Sequence, residues 1–286
     1  MRFLEPIIAA AFVLAAPAGD APVTVAVQVR GDRPLVEVTL DGRVAHMVLD
    51  TGASETTLMR DAPARLGLDL DDARPAEQSL SYGQPFTLRF ARVHQVAFAG
   101  RTVTVDDVAV DADGGAEPGV DGFFTDDRLA QADIDLAHGR LFLDVQDAPA
   151  WTHQPGVATV ALEDRRRLFG QAMVNGQVVR VLFDTGSPGS SMTLAAAKRA
   201  GVAVAGPPDD GVYGLGATRL RAWNARVADI RLGAARGRDV PMLVVDKPNA
   251  SADMIAGFDF FRRHRVWIDR RHNRLVFTPI DDSHAF

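Results

Sequence analysis

VRVLFDTGSPGSSM, residues 179–192, repeats a pattern that occurs earlier in the chain as AHMVLDTGASETTL, residues 45–58. In both stretches a run of apolar residues leads into Asp-Thr-Gly, and the two aspartates are Asp50 and Asp184, 134 positions apart. A three-residue match is weak evidence by itself. A match that keeps one offset over many residues indicates an internal duplication.

The repeat keeps its register over most of each half. Residues 23–70 align without a gap on residues 157–204, and the same offset returns where IDLAHGRLFL, residues 134–143, aligns on IDRRHNRLVF, residues 268–277. Each copy has the size of a small domain. We therefore predict two lobes.

The lobe boundaries follow from this alignment and from composition. After a leader at residues 1–18, the first lobe is expected to span residues 19–147 and the second residues 148–286. The segment DVQDAPAWTHQPG, residues 144–156, contains two prolines and no periodic pattern, so we interpret it as the interlobe linker.

Composition excludes several classes of function. The 286 residues are 47% hydrophobic and 24% charged, which suits two modest cores. A net charge of −6 argues against a nucleic-acid partner, which needs a basic face. We interpret the basic runs at 165–167 and 262–274 as solvated strand faces and turns. Cysteine is absent, which excludes disulfides, thiolate catalysis and zinc-thiolate sites.

The amino terminus resembles a secretory signal. Arg2 precedes the apolar run Ile7 to Ala16, and small residues follow with an expected cleavage after Ala18. The run is too short to span a bilayer. Arginine supplies nearly all the positive charge, as in GC-rich bacterial genomes. We therefore expect a periplasmic or secreted bacterial protein with no stable membrane insertion after cleavage.

Short β-rich runs dominate the rest of the chain. Residues 23–29, 35–40 and 44–49 are predicted strands, and Asp41-Gly42 between the last two predicts a hairpin. Helical spacing follows each Asp-Thr-Gly, in TTLMRDAPARLG and SSMTLAAAKRAG, and both stretches end at glycine. These patterns predict an all-β fold with short helices.

MVLDTGAS and VLFDTGSP resemble the active-site loops of the aspartic proteases of the pepsin and retropepsin superfamily. A second family element lies downstream, as DMIAGFDFF, residues 253–261, and more loosely as DGFFTDDRL, residues 121–129. The resemblance covers nearly the whole chain after the leader. It implies two homologous β-barrel-like lobes with the active site between them.

Two copies of the loop have a chemical reason. Hydrolysis of a peptide bond by carboxylates needs two aspartates around one water, and each lobe supplies one. Two close carboxylates share a proton, so that one acts as general base and the other as general acid. We therefore expect Asp50 and Asp184 to be catalytic in an endopeptidase that works as a monomer, without metal or cofactor.

The resemblance also implies roles for the loop residues Thr51, Gly52, Ala53, Thr185, Gly186 and Ser187. The two threonines would brace the loops against each other. The glycines let the backbone turn close to the carboxylates. The Ser187 hydroxyl would donate to Asp184 and favour its ionised form, whereas Ala53 has no donor.

Flap residues are suggested by the tyrosines. The chain has two, and both precede glycine: Tyr82-Gly83 and Tyr213-Gly214. In pepsin-like enzymes a tyrosine-glycine hairpin covers the substrate. Either lobe could supply the flap here, although VYGLGATRL in lobe two is richer in glycine.

Other interpretations stay open at the sequence level. Thr125 stands where lobe one should have the glycine that Gly257 provides in lobe two, which would suit a weak enzyme or an inactive peptide-binding protein. A glycoside hydrolase also uses two carboxylates. It would usually have an aromatic-lined sugar cleft, and aromatic residues make up 7% of this chain.

Overall fold

The apolar runs of the sequence form a structure that is mostly β. The computed structural model describes residues 21–81, 84–164, 166–216 and 219–280. The expected signal peptide, residues 1–18, lies outside these ranges. Within them each half of the chain builds its own sheet, and a third sheet joins the halves. The predicted fold class, all-β with two lobes, is confirmed.

Within the described residues, the strands of the first half are β1 (Val23–Ala26), β2 (Gln28–Arg30), β3 (Arg33–Leu40), β4 (Arg43–Leu49), β5 (Thr57–Met59), β6 (Glu77–Ser81), β7 (Gln84–Ala91), β8 (Gln95–Phe98), β9 (Arg101–Thr104), β10 (Val108–Asp111), β11 (Gly122–Phe124), β12 (Gln131–Asp135) and β13 (Arg140–Leu143). The ten-stranded sheet of this lobe has the order β6-β7-β10-β5-β11-β4-β3-β8-β9, and β2 pairs with β3.

The strands of the second half are β14 (Ala158–Ala161), β15 (Phe169–Val174), β16 (Gln177–Phe183), β17 (Ser191–Thr193), β18 (Val204–Tyr213), β19 (Arg219–Leu232), β20 (Ala235–Val245), β21 (Met254–Ala256), β22 (His264–Asp269) and β23 (Arg274–Pro279). Its seven-stranded sheet has the order β15-β16-β21-β17-β20-β19-β18.

The helices are shorter than the helical spacing suggested. They are α1 (Ala62–Leu66), α2 (Leu194–Arg199) and α3 (Phe258–Arg263), with 3-10 turns at Asp127–Ala130, Leu136–His138, Ala150–His153 and Arg270–His272. The prediction of helix from Thr56 onward was wrong for the first residues. Thr57–Met59 pair with strands on both sides, and sheet hydrogen bonds outweigh local helical preference there.

The predicted hairpin turn occurs in both lobes. Asp41 and Gly42 connect β3 to β4 with φ of 45° and 80°, and Asn175 and Gly176 connect β15 to β16 with φ of 47° and 82°. Positive φ at both central residues is the type I′ geometry that matches strand twist. The turn fixes the register of the strand that ends at each Asp-Thr-Gly.

Each Asp-Thr-Gly loop leaves its strand at an internal position of its sheet. In lobe one β11 lies between β4 and β5, parallel to the first and antiparallel to the second. In lobe two β21 lies in the same way between β16 and β17. Hydrogen bonds on both sides hold each loop at the end of a buried strand.

A six-stranded sheet joins the lobes. Its order is β1-β13-β12-β22-β23-β14, with three strands from each half. At its centre Asp133 of β12 pairs with Trp267 of β22. The buried Asp133 carboxylate also accepts hydrogen bonds from Arg265 at 3.0 and 2.7 Å and from the Trp151 indole at 3.1 Å. Trp151 lies in the segment interpreted as the linker, which is therefore packed against the protein.

One continuous apolar core extends through both lobes and includes side chains of β4, β16 and α3. Among the described residues, no helix combines the length and apolar character needed to cross a membrane.

Candidate active site

The two Asp-Thr-Gly loops begin where β4 and β16 end. The Asp50 N–H donates to the carbonyl oxygen of Phe124 at 2.8 Å, and that of Asp184 donates to Ala256 at 2.9 Å. Phe124 and Ala256 are the last residues of β11 and β21. The same backbone hydrogen bond to a neighbouring strand therefore positions the aspartate in each lobe.

Backbone N–H groups fix one oxygen of each carboxyl group. Asp50 Oδ1 accepts hydrogen bonds from Gly52 and Ala53, both at 2.8 Å. Asp184 Oδ1 accepts them from Gly186 at 2.9 Å and Ser187 at 3.1 Å. Both carboxyl groups line the cleft between the lobes. The loops thus hold the carboxyl groups rigidly while leaving them accessible from the cleft.

The two carboxyl groups meet across the lobes. They lie close enough for a hydrogen bond between them to affect the pKa of each. A Cβ added at Gly52 would lie 2.4 Å from Asp184 Cγ, and one added at Gly186 would lie 2.5 Å from Asp50 Cγ. Each glycine therefore gives space to the aspartate of the other lobe.

The surroundings of the two aspartates raise their pKa values to different extents. Burial and the nearby charge of Asp184 raise the pKa of Asp50 well above its ordinary value. Burial also raises the pKa of Asp184, but the hydrogen bond from Asp50 and the positive charge of Arg167 oppose that rise. Of the two, Asp50 has the pKa that is raised further, and carboxyl groups this close titrate as a pair that shares one proton.

Thr51 and Thr185 connect the loops underneath the aspartates. The N–H of each threonine donates to the side-chain oxygen of the other, both at 3.1 Å. The Thr51 hydroxyl then donates to Phe183 at 3.0 Å, and the Thr185 hydroxyl to Leu49 at 2.5 Å. Both side chains are buried. These bonds tie the end of each strand to the loop of the other lobe.

The expectation for the Ser187 hydroxyl was wrong. It donates to the carbonyl oxygen of Gly189 at 3.1 Å, whereas Asp184 accepts from the Ser187 backbone N–H. The turn at Pro188 brings that carbonyl within reach of the hydroxyl. The asymmetry between the aspartates therefore has another source than this side chain.

Gly257 packs tightly beneath the loop of lobe two. An added Cβ there would lie 2.5 Å from the Gly189 carbonyl oxygen and 2.9 Å from that of Ser187. The next residue, Phe258, donates its N–H to Ser187 at 2.7 Å. This contact anchors the loop to the start of α3.

Thr125 occupies the corresponding place in lobe one. Its N–H donates to the Thr56 hydroxyl at 3.3 Å, as that of Gly257 donates to the Ser190 hydroxyl at 3.1 Å. Behind the loop lies a hollow of about 280 Å³, lined by Thr51, Ala53 and Thr125 among others. Lobe one therefore keeps the backbone contact and has a hollow behind its Asp-Thr-Gly loop.

The suggested flap residues are only partly covered by the structure. Tyr82 and Gly83 lie outside the described residues. Tyr213 lies at the end of β18, and its side chain is likewise outside what is described. Gly214 lines the cleft, together with Leu215 and Gly216.

Two arginines that sequence analysis missed flank the dyad. Arg33 of lobe one donates to the Gly186 carbonyl oxygen at 2.9 Å and is held by Glu117 at 3.0 and 3.1 Å. Arg167 of lobe two lines the same cleft, so the interpretation of residues 165–167 as a solvated face was wrong for this residue. Arg33 and Arg167 are separated by the same 134 residues as the aspartates, a signal that could have found them.

Lys247 is a third cation that the sequence did not indicate. It is buried, lines the cleft just beyond β20 and donates to the Ser191 hydroxyl at 3.3 Å. Burial lowers the pKa of Lys247 from 10.5 to about 8, while the negative charge of Asp184 acts in the opposite direction. A buried ammonium group therefore contributes to the field around the dyad.

The cleft has a volume of about 860 Å³, within the usual size of ligand sites. Its walls are supplied by both lobes and mix polar groups with apolar side chains, among them Met59, Phe86, Phe123, Leu182, Leu215, Met254 and Ile255. Such a cleft suits a ligand that carries both backbone polar groups and apolar side chains.

Two β lobes that bring one Asp-Thr-Gly loop each to a shared cleft define the class of two-lobed aspartic peptidases. The aspartyl protease family model matches residues 36–122 and 170–260, one segment in each lobe. The chain belongs to the aspartyl protease family and is a peptidase of that family.

The fold is also that of solved aspartic proteinases. The crystal structure of the aspartic proteinase from Irpex lacteus superposes with a TM-score of 0.54, covering 91% of this chain and 97% of that one at 11% sequence identity. At this identity the likeness establishes the fold alone. No curated protein matches the sequence.

Proposed function

We propose that this protein is an endopeptidase in which Asp50 and Asp184 together activate one water molecule. The observation that carries the proposal is the meeting of the two carboxyl groups, each beside the glycine of the opposite loop. Two carboxyl groups at such proximity share one proton, so a base and an acid are present together.

We assign the starting roles from the larger rise in the pKa of Asp50. Ionised Asp184 takes a proton from water as the water oxygen bonds to the carbonyl carbon of the peptide. Protonated Asp50 gives its proton to the carbonyl oxygen. The tetrahedral intermediate then collapses as the C–N bond breaks: Asp184 gives its proton to the leaving nitrogen, and Asp50 takes the proton of one hydroxyl of the intermediate as that oxygen re-forms the C=O bond of the product acid.

The cleft favours an extended peptide as substrate. It lies across both lobes, and apolar side chains line it on either side of the dyad. Since the two carboxyl groups lie within the cleft, a chain bound along it presents an internal bond to them. We infer that one chain suffices as the active unit, because it contains both aspartates.

Export forms a further part of the proposal. The leader at residues 1–18 supports a periplasmic or secreted enzyme, and the absence of cysteine suits an oxidising compartment, where a free thiol would be at risk of oxidation. Fractionation of cells producing the full-length chain, with amino-terminal sequencing of the product, tests cleavage after Ala18.

Digestion of a peptide library at several pH values, with and without pepstatin, tests the central proposal. We expect pepstatin-sensitive cleavage that Asp50→Asn or Asp184→Asn lowers by at least about 1000-fold, because acid and base roles are divided between the two. Asp72→Asn is the matched control, since Asp72 is exposed and is not among the residues that line the cleft.

The same library separates the enzyme from a binding protein. If the parent retains peptides at every pH without cleaving them, the chain is a peptide-binding member of the family. If Asp50→Asn cleaves as fast as the parent, the shared-proton dyad is wrong.

A further inference from the structure

The carboxyl group of Asp111 is buried on the lobe-one side of the cleft. Asp111 is the last residue of β10, and its Oδ1 accepts hydrogen bonds from the N–H groups of Gly114 at 2.8 Å and Asp113 at 3.1 Å. A Cβ at Gly114 would lie 2.3 Å from Asp111 Oδ2, so the glycine leaves space for the carboxyl group. One oxygen is thus satisfied within its own loop.

The other oxygen is satisfied by the opposite lobe. The N–H of Gly216 donates to Asp111 Oδ2 at 2.6 Å. Within the described part of the chain, no Lys or Arg forms an ion pair with Asp111. A buried carboxylate is costly without hydrogen-bond donors. The contact with Gly216 therefore stabilises the carboxylate and the segment that carries it.

Gly216 belongs to the connection between β18 and β19, a long hairpin that is rooted in lobe two. The preceding residue, Leu215, packs against an apolar cluster of lobe one formed by Phe86, Leu88, Phe90 and Ala109. Gly216 has φ of +82°, and a Cβ there would lie 2.8 Å from Phe86 Cβ. Polar and apolar contacts thus both dock the segment on lobe one.

The docked segment crosses the cleft that contains the dyad. Gly214, Leu215 and Gly216 line this cleft together with Asp50 and Asp184, yet their partners Asp111 and Phe86 lie in the other lobe. The described part of the lobe-one hairpin is different. There Leu80 lines the cleft with 71% of its surface exposed.

We propose that Asp111 is a positioning residue that holds residues 214–216 of lobe two across the cleft, so that this segment acts as a flap that retains the substrate. The proposal rests on the endopeptidase function proposed above. Binding and release of a peptide then require the contact between Asp111 and Gly216 to break and re-form.

Thiol labelling tests the docking without any need for activity. The chain has no cysteine, so Leu215→Cys introduces a single thiol at the docked position. We expect Asp111→Asn in this background to raise its labelling rate by about tenfold, the effect of losing one hydrogen bond to a charged group. Leu80→Ala in the same background is the matched control and should leave the rate unchanged.

Steady-state kinetics test the consequence for substrate. We expect Asp111→Asn and Leu215→Ala to raise KM by about fivefold to tenfold while kcat changes by less than about twofold, since the transition state keeps its contacts with the dyad. A merely structural role would instead lower the active fraction, and with it kcat, at constant KM. Leu215 lies on a surface segment, so its variant stays informative if Asp111→Asn folds poorly.

A crosslink gives an independent readout. Phe86→Cys with Leu215→Cys introduces two thiols in the apolar contact that docks the segment on lobe one. We expect oxidation to lower kcat/KM by more than about 100-fold and reduction to restore it, because a fixed flap blocks entry.

Full activity of the oxidised protein, or an unchanged labelling rate in Asp111→Asn, would overturn the proposal. Faster labelling with unchanged KM would show that the segment docks but is not the flap. If no variant cleaves any peptide, the proposed enzyme function fails while labelling still decides the docking.

Discussion

Gly52 of lobe one packs against the carboxyl group of Asp184 in lobe two, so closely that an added Cβ would lie 2.4 Å from Cγ. Gly186 stands in the same relation to Asp50. Each catalytic loop is therefore shaped around the acid of the other lobe, and the spacing of the dyad depends on two residues without side chains.

Substitution of either glycine should separate the carboxyl groups. We expect Gly52→Ala and Gly186→Ala each to lower kcat by at least about 100-fold, the usual cost of an ångström-scale misplacement in an active site. Circular dichroism checks that the variants fold. A folded Gly52→Ala protein with near-parental kcat would mean that the dyad tolerates a different spacing.

Two substitutions of Thr185 should show whether its hydrogen bonds or its side-chain shape contribute more to the stability of the protein. Thr185→Val keeps the side-chain volume but leaves the Thr51 N–H and the Leu49 carbonyl without this buried partner. We expect it to lower the free energy of unfolding by about 3 kcal/mol, against less than about 1 kcal/mol for Thr185→Ser. Urea unfolding measures both. Equal losses in the two variants would assign the effect to packing.

The pH dependence of activity should respond to Arg167. Its positive charge opposes the rise in the pKa of Asp184, so Arg167→Gln raises that pKa further. In the proposed mechanism activity needs ionised Asp184, and the acidic limb of kcat/KM should therefore move to higher pH. Ser187→Ala should leave the limb in place, because its hydroxyl donates to Gly189. A limb that moves in Ser187→Ala and not in Arg167→Gln would reverse this assignment.

Lys247 should make stability depend on pH in the alkaline range. Its pKa is lowered to about 8 by burial, so between about pH 8 and 10.5 the unfolded chain binds a proton that the folded protein has lost. Stability then rises with pH across this window. Below about pH 8, burial of the charged lysine lowers the free energy of unfolding by on the order of 3 kcal/mol.

Lys247→Met removes this cost. The variant should gain stability over the parent at pH 7, and the difference should shrink as the pH rises towards 10. Urea unfolding of both proteins at matched pH values measures it. A difference that stays constant with pH would show that Lys247 titrates at its ordinary value in the folded state.

The duplication made the dyad, its loops and the hairpin turns predictable, because each is a local pattern that occurs twice. Asp111 and Lys247 were missed for a topological reason. They lie at or just beyond the ends of β10 and β20, and they reach the cleft only because these strands pair in parallel with β5 and β17. No short stretch of sequence indicates that two distant strands pair in parallel.

Arg167 was misread for a different reason. A run of three arginines in a sequence is typical of a solvated surface, and its exposed neighbour Arg166 fits that rule. Comparison with the other lobe would have paired Arg167 with Arg33, as the aspartates were paired. The two catalytic loops also diverge in packing, since Thr125 and Gly257 leave different space beneath them.

The central pairing of Asp133 with Trp267 bears on how the halves recognise each other. These residues occupy equivalent positions in the two copies, so two first halves joined in this register would set Asp133 against Asp133, without Arg265 to neutralise either carboxylate. Two second halves would set two indoles in the space now shared by an indole and a carboxyl group. Neither half could therefore pair well with a copy of itself where β12 now meets β22. The mismatch favours assembly of unlike halves within one chain over exchange between molecules.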